Sequence, residues 1–527
     1  MTILKRPCNV CLPVFAIIIL ITVNADAQQI SWYVDNTVAS GGNGTSWASA
    51  WNSFAAINWA NIHAGDTIYI SGGSASQTYT ETWTVGASGS AGAPITIAAG
   101  QDAGHNGTVI FDYNADGDSS TKVAITVNRK YITFNGNVGG ANHIQFKNLR
   151  NILDRYAGIA IEGGGTALVF DNLTFTNDNN GIVLDGASTA AEIKNCSFQQ
   201  IRGDKAIDVN STTGAFDANL IHDNDIETLY NTAVPPGGSG QYVGPDAIWA
   251  NSGTSIFNNT IKVSTTSLYT SNQHPDMMQV TGNYIKVYGN TFTNVGDSVF
   301  DYDCYANATP HDIRIYNNVF RILTTIDPYP EYFRMYSSGT KPTSLTNVKI
   351  LNNDFIDNTG GYHAIRFDSF SGTQTATGIE IKNNIFYNVG DGTSADAIIN
   401  IDNSTGYTSS SFAFDANIYY QAGRTQYINF RGTSYTAATW VAANEPKGKN
   451  GQAPAFVSYT AFANANDYHL QAADSVAKDT GVDLSAYFTS DKDDVTRPQG
   501  AGWDIGAYEF TANAAPAAPT GLVATVH

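Results

Sequence analysis

This sequence predicts an all-β fold, a solenoid of short strands stacked coil upon coil, and three observations carry that expectation. A strand-like phrase, x-small-Ile/Val-x-apolar, recurs along the chain. A second phrase built around asparagine follows it each time. No long segment shows helical periodicity, and the texture between the apolar runs is Asn, Thr, Ser and Gly. A repeat of about 30 residues with two or three short strands per period builds coils that cannot bury their apolar faces alone and must stack.

The first 27 residues read as a secretory leader. Lys5 and Arg6 form the positive start, residues 12–23 the apolar run, and Ala25-Asp26-Ala27 a small-x-small cleavage site. The run is short for a membrane span, so the expected mature protein is exported, to the cell surface or beyond, with no membrane span and as a monomer. Residues 28–510 then form one elongated domain. It opens with a short strand, a Gly-rich loop, an N-terminal capping helix carrying Trp47, Trp51 and Phe54, and the phrase GDTIYI (65–70).

The strand phrase then appears ten times, among them NGIVL (180–184), KAIDV (205–209), DAIWA (246–250), DMMQV (276–280), DSVFD (297–301), EYFRM (331–335), HAIRF (363–367) and DAIIN (396–400). This implies about ten or more coils. The asparagine of the second phrase falls at 224, 259, 290, 318, 353, 384 and 417. Its regularity marks a structural ladder, since amide side chains at a tight bend bond the backbone and one another along a stack. Residues 511–527 read as a Pro/Ala linker and the truncated first strand of a fibronectin type III-like module.

With its opening phrase, its repeats and its closing RPQGAGWDIGAYEF (497–510), the chain resembles the right-handed parallel β-helix proteins of the pectate-lyase-like superfamily. Lyases, hydrolases, epimerases, adhesins and phage spikes share that fold, so activity has to be read from the residues.

Bulk properties exclude some classes. The net charge is −19, or −20 once Lys5, Arg6 and Asp26 leave with the leader. That argues against a nucleic-acid partner and requires a local basic patch or a cation for any acidic substrate. Cys196 and Cys304 remain after the leader is removed. At roughly 4.8 Å per coil they stand about 19 Å apart, too far for a disulfide, and two free thiols are expected. The Gly-rich loops at 163–165 and 235–240 lack the Lys-Ser/Thr of a phosphate cradle.

Candidate chemistry lies on one sheet. In the strand phrase the third and fifth residues point inward, the fourth points outward, and the first sits at the bend. The first position reads Val123, Ala157, Asn180, Lys205, Asp246, Asp276, Asp297, Glu331, His363, Asp396. The fourth reads Thr126, Ala160, Val183, Asp208, Trp249, Gln279, Phe300, Arg334, Arg366, Ile399. A scaffold residue should repeat in every coil. The stacked acids instead concentrate in the central coils, where they must share a proton, pair with arginine or bind a cation.

Two chemistries fit. One is β-elimination on a uronate polysaccharide. Its order of acids followed by basic residues is similar to that of pectate lyases. The resemblance implies Ca²⁺ held by Asp246, Asp276, Asp297, Asp301 and Asp303, with Arg334 and Arg366 as base and carboxylate clamp. The other is glycoside hydrolysis of the polygalacturonase type, which implies Asp276, Asp297 and His363 as catalytic groups. The Asp-Asp pair and Gly-His-Gly phrase of that family are absent, and His363 follows Tyr362. Trp249, Gln279, His274, Tyr302 and Tyr332 are the expected saccharide-binding residues, with Tyr305 and Tyr329 nearby. A non-catalytic, glycan-binding or adhesive solenoid is the third reading.

Overall fold

The computed structural model describes residues 29–113, 123–149, 158–184, 189–230, 245–265, 276–303, 309–326, 330–336, 344–359, 363–368, 375–404 and 406–512. The expected leader, His274, Cys304, Tyr305, Tyr329, the 235–240 loop and the fibronectin-like strand lie outside these residues. Among the described residues, no helix is long and apolar enough to cross a membrane.

The strands form three long parallel sheets, of 14, 13 and 13 strands. They run from Ser31–Val34 to Phe412–Asp415, from Ser76–Tyr79 to Lys449–Asn450, and from Trp83–Thr84 to Thr433–Thr436. Each coil contributes one strand to each sheet in turn, giving a β-solenoid of about 11 turns. This is the expected architecture.

Side chains pointing into the solenoid stack in columns at the coil spacing. In the second sheet Phe111, Phe146, Phe175 and Phe198 lie face to face, with ring centroids 4.9, 5.1 and 4.6 Å apart. Phe292, Phe320, Phe355, Phe386 and Tyr419 continue the pattern at 4.9, 4.8, 5.0 and 5.3 Å. Aromatic area buried in this way supplies much of the solenoid's stability.

The turn between the first and second sheets explains the paired asparagines. Its first residue adopts a left-handed conformation, as at Asn258 (φ 55°), Asn317 (φ 54°), Asn352 (φ 50°) and Asn383 (φ 56°), with Gly289 (φ 68°) in the same role. Asn and Gly tolerate that region best. The second residue is the ladder asparagine. From Asn224 to Asn384, each backbone N–H and each Nδ2–H donates to Oδ1 of the ladder asparagine in the next coil, at 2.9–3.1 Å. The ladder ends at Glu445. Its Oε2 accepts from Asn417 N and Nδ2 (3.2 and 3.0 Å), and its Oε1 from Tyr419 Oη and Trp440 Nε1 (2.6 and 2.9 Å).

The two ends differ from expectation. The N-terminal capping helix is instead three short 3₁₀ turns, Trp47–Ser49, Phe54–Ala56 and Trp59–Asn61. Ser46, Ser53 and Asn58 each restart the chain, so no helix propagates. Trp51 and Phe54 are still buried, stacked on Trp32 (5.3 Å) and Trp83 (4.6 Å). The α-helix, Ala437–Asn444, lies at the far end, after Thr433–Thr436 folds back antiparallel on Tyr427–Phe430. Trp440 packs there on Phe414 and Phe430, covering an edge that would otherwise present unpaired backbone groups.

The chain after residue 451 runs back along the flank of the solenoid. Tyr468, Leu470, Ile505 and Ala507 pack on Val319, Ile356, Ile385 and Ile418. The left-handed asparagines grip this segment from outside: Nδ2 of Asn317, Asn352 and Asn383 donates to the carbonyls of Ser490 (2.7 Å), Asp504 (2.9 Å) and Val482 (2.9 Å). Cys196 is a buried free thiol, pushed up to about 12 by burial.

Replacing Asn318 by alanine removes the acceptor of two buried N–H groups of Asn290. It should cost about 3 kcal/mol, read as a shift of the urea midpoint. Asn258→Gly, at an exposed left-handed position, should change that midpoint little.

Asp354 is buried, and Ala507 N donates to its Oδ1 (3.1 Å). Burial raises its pKa from 3.8 to about 7. The contribution of this group to stability is therefore full below its unfolded value and lost as pH rises through the folded one. Thermal melts of Asp354→Asn against the parent should coincide near pH 4, and the variant's advantage should grow toward pH 7 and level off above it.

Candidate functional site

The outward column of the third sheet reads Thr126, Glu162, Val183, Asp208, Trp249, Gln279, Asp301, Arg334, Arg366, Asn400 and Asn429, each in register with the next. Its early members are small or isolated. From Trp249 to Asn400 it becomes a continuous polar and aromatic stripe, about 24 Å long at roughly 4.8 Å per coil.

This register corrects three phrases. Near the start, Glu162 and not Ala160 pairs with Thr126, so the repeat there is IAIEG (159–163) and Ala160 is buried. Met278 pairs with Phe300 and Gln279 with Asp301, so the repeat at this coil is SVFDY (298–302) and not DSVFD. Asp301 occupies the outward position expected for Phe300. Ser298 takes the bend position expected for Asp297, which lies one residue earlier. The same slip at 396–400 places Asn400, not Ile399, outward. A shift of one residue exchanges inside for outside throughout a strand.

The acids at the bend are also reassigned. Asp246 and Asp276 are 2% and 0% exposed. Asp246 Oδ1 accepts the backbone N–H of Asp276 (2.9 Å), and Asp276 Oδ1 accepts the N–H of Ser298 (3.0 Å) and its hydroxyl (2.5 Å). Asn180 does the same for the N–H of Lys205 (3.1 Å). These side chains tie one coil to the next, as the asparagine ladder does at the other turn. Asp276, expected to be catalytic, is enclosed in that role. Burial, with Asp276 and Asp204 close by, pushes the Asp246 carboxyl well above the usual carboxylate range.

Among the described residues, the acids expected to hold a cation have other partners. Asp246 and Asp276 hold backbone amides, and Asp297 faces Arg334. Asp301 lies beside Arg334 in register, and the Asp303 side chain lies outside the description. Among the described residues no group of three or more His, Cys, Asp or Glu side chains could hold a metal ion.

What the fold brings together is a charged cluster around two arginines. Arg334 Nη1 lies 3.3 Å from Asp297 Oδ2, and its Nε 3.5 Å from Glu331 Oε2. Arg366 Nη1 lies 3.0 Å from Glu331 Oε1, and its Nε 2.5 Å from Asp368 Oδ1. Glu331 is 2% exposed and serves both guanidiniums from beneath. The side chains of Asp297, Arg334 and Arg366 are 24%, 16% and 24% exposed, so these three form the accessible surface.

Burial opposes the charge on Arg334, but Asp301, Glu331, Asp297 and Asp276 outweigh it and hold the guanidinium above its ordinary value. Burial likewise opposes the charge on Arg366, and Glu331 and Asp368 outweigh it. Both are fixed cations, which suits a carboxylate clamp and not the Brønsted base expected of one of them. Burial raises the Glu331 and Asp368 carboxyls, while the arginines pull them back. His363 is pushed down to about 4 by burial and by Arg366, although its contact with the Ala397 carbonyl opposes the shift. It is therefore a neutral imidazole at neutral pH, with Nδ1 at that carbonyl.

The expected saccharide-binding residues divide. Gln279 is half-buried in the outward column. Trp249 is half-buried beside it, with its Nε1 on Asp246 Oδ2 (2.6 Å) and Lys205 Nζ 3.6 Å over its ring, so one face is already covered. Tyr302 and Tyr332 are not in the groove: both are fully buried and donate to the carbonyls of Gly282 and Ile356. They occupy inward and bend positions, where an aromatic side chain belongs to the core. Asn400 was missed as an outward residue, and correct register was the signal for it. Asp368 directly follows the repeat HAIRF (363–367), two residues after Arg366.

Glu331→Ala should leave two half-buried guanidiniums without their shared acid. A loss of about 3 kcal/mol in denaturant-derived stability is expected.

The chain is similar to the crystal structure of pectate lyase Pel9A (15% identity, 92% of this chain and 97% of that one, TM-score 0.46). It is also similar to the complex of XylC with xylose (11% identity, 92% and 98%, TM-score 0.45) and to the PL6-family alginate lyase AlyGC (14% identity, 72% and 53%, TM-score 0.37). No family model and no curated protein sequence matches the chain.

Proposed function

We propose that this chain is an exported enzyme that cleaves a uronate-containing polysaccharide by β-elimination, with the polymer lying along the outward column of the third sheet. One observation carries the reading: Arg334 and Arg366 stand on adjacent coils, partly exposed, and are held from beneath by the buried Glu331. Two fixed guanidiniums can clamp a planar carboxylate. Neutralising that carboxylate acidifies the C–H bond next to it and stabilises the enolate-like charge that develops when the proton leaves. His363 is the proton acceptor in this reading. It is neutral at neutral pH, and with Nδ1 donating to Ala397 its Nε2 keeps a lone pair. The C–H and glycosidic C–O bonds break, a C=C bond forms, and the departing oxygen takes up a proton. Gln279, Asn400 and the open face of Trp249 would hold neighbouring sugars.

A second reading, glycoside hydrolysis, has its own observation. Asp297 and Glu331 lie within reach of the single guanidinium of Arg334, and burial pushes Glu331 upward. Paired carboxyls in unequal environments are the usual arrangement for acid and nucleophile or base.

The test is incubation with a panel of uronate polysaccharides, following both the ultraviolet absorbance of unsaturated uronate and the release of reducing ends. Absorbance growing with reducing ends supports elimination. Reducing ends without absorbance move the reaction to Asp297 and Glu331. Neither signal, with binding retained, leaves a glycan-binding solenoid. Arg366→Ala should lower kcat/KM by about 10²–10³, and lysine should not restore it, because it lacks the planar fork. Since His363 must be neutral to accept the proton, kcat/KM should fall as pH drops through about 4.

A further inference from the structure

We propose that the outward face of the first sheet around Arg314 is a second binding site, for the carboxylate or sulfate groups of an acidic glycan. The inference rests on the reading of this chain as one that handles an acidic polysaccharide.

Lys286, Arg314 and Lys349 stand in register on three consecutive coils, on a chain of net charge −19. Two rings from distant parts of the sequence alternate with them. Phe216 lies 4.6 Å from the Arg314 guanidinium and 5.1 Å from Lys286 Nζ. Tyr487, from the flanking C-terminal segment, lies 5.7 Å from Arg314 and 5.3 Å from Lys349 Nζ.

Each lysine has its own acid. Lys286 Nζ is 2.5 Å from Asp217 Oδ2, and Lys349 Nζ is 2.7 Å from Glu380 Oε1. Arg314 has none of its own: among the described residues its side chain makes no ion pair within 4 Å and no hydrogen bond, its Nε is buried without a partner, and Asp217, already paired with Lys286, acts on it only from a distance. By contrast, Arg334 and Arg366 in the central coils of the third sheet are both paired with carboxylates. Arg314 is instead held between two rings that fix its plane without neutralising its charge. A guanidinium so held, on a half-buried side chain at an outward position, is preorganised for a planar or tetrahedral oxyanion.

Arg314 and Arg334 belong to the same coil but to different sheets, so the two sites face different directions and can be tested apart. The full chain would be titrated at low ionic strength with polygalacturonate as the carboxylate source and dextran sulfate as the sulfate source. Dextran serves as the neutral control. The wild type should bind at least one anionic polymer and not dextran. Arg314→Ala should weaken that binding at least about tenfold, and Arg314→Lys should keep part of it while retaining a cation between the rings. The polymer affected identifies the anion.

Unchanged binding in both variants, or no binding by the wild type, would overturn the inference. If Arg314→Ala misfolds, the lysine variant decides, since full wild-type affinity there excludes a role for the fork. Binding that depends on Arg314, with no cleavage of any substrate, would sustain this site and defeat the proposed reaction. Cleavage that depends on Arg366, with no effect of Arg314, would do the reverse.

Discussion

From Asn224 to Asn417 one buried side-chain amide ties each coil of this solenoid to the next, and the central coils depend on it. A ladder asparagine gives its backbone N–H and both amide hydrogens to carbonyl oxygens, while its Oδ1 takes two N–H groups from its neighbour. Asn259 shows the full set: it donates to Asn290 Oδ1 and to the Ile221 and Phe257 carbonyls, and accepts from Asn224. A turn with no room for water can exist only if every such group is satisfied. The residue before the ladder position must be left-handed, which favours Asn or Gly. The Asn-Asn pair therefore does two jobs: the second residue faces in and builds the stack, and the first faces out and holds the C-terminal segment.

Because the turns repeat, the register between coils is rigid, and rigid register turns a sequence position into a line in space. That is how Trp249, Gln279, Asp301, Arg334, Arg366 and Asn400 come to form a single stripe. It also explains the fate of the acids at the other bend. An aspartate there can accept the amide of the next coil as an asparagine does, and Asp246 and Asp276 do so beside Asn180. Burial disfavours the charge of Asp246, which is why its carboxyl is pushed above the usual range.

The repeat, the all-β class and every rung of the asparagine ladder were legible in the sequence, because each rests on local rules applied many times over. The capping helix was not, since three aromatic residues at helical spacing cannot outweigh serines that restart the chain at each turn. Tyr302 and Tyr332 were misread as groove residues for a related reason: tyrosine suits a core and a sugar site equally, and only its position in the coil decides. The arginine pair was visible, but not its chemistry. The clamp proposed for Arg334 and Arg366 rests on Glu331 pairing with both, a contact spanning two coils.

Sequence alone determined what is periodic here: the coil length, the ladder, the alternation of inward and outward residues, and the coils in which charge gathers. Tertiary structure decided what depends on one-residue register and on contacts between distant segments. It separated Asp276 from Asp301, bending one into the scaffold and turning the other outward. It also brought Phe216 and Tyr487 to opposite sides of Arg314. The physical reason is that periodic constraints act on each repeat independently, whereas burial and charge pairing belong to the assembled stack.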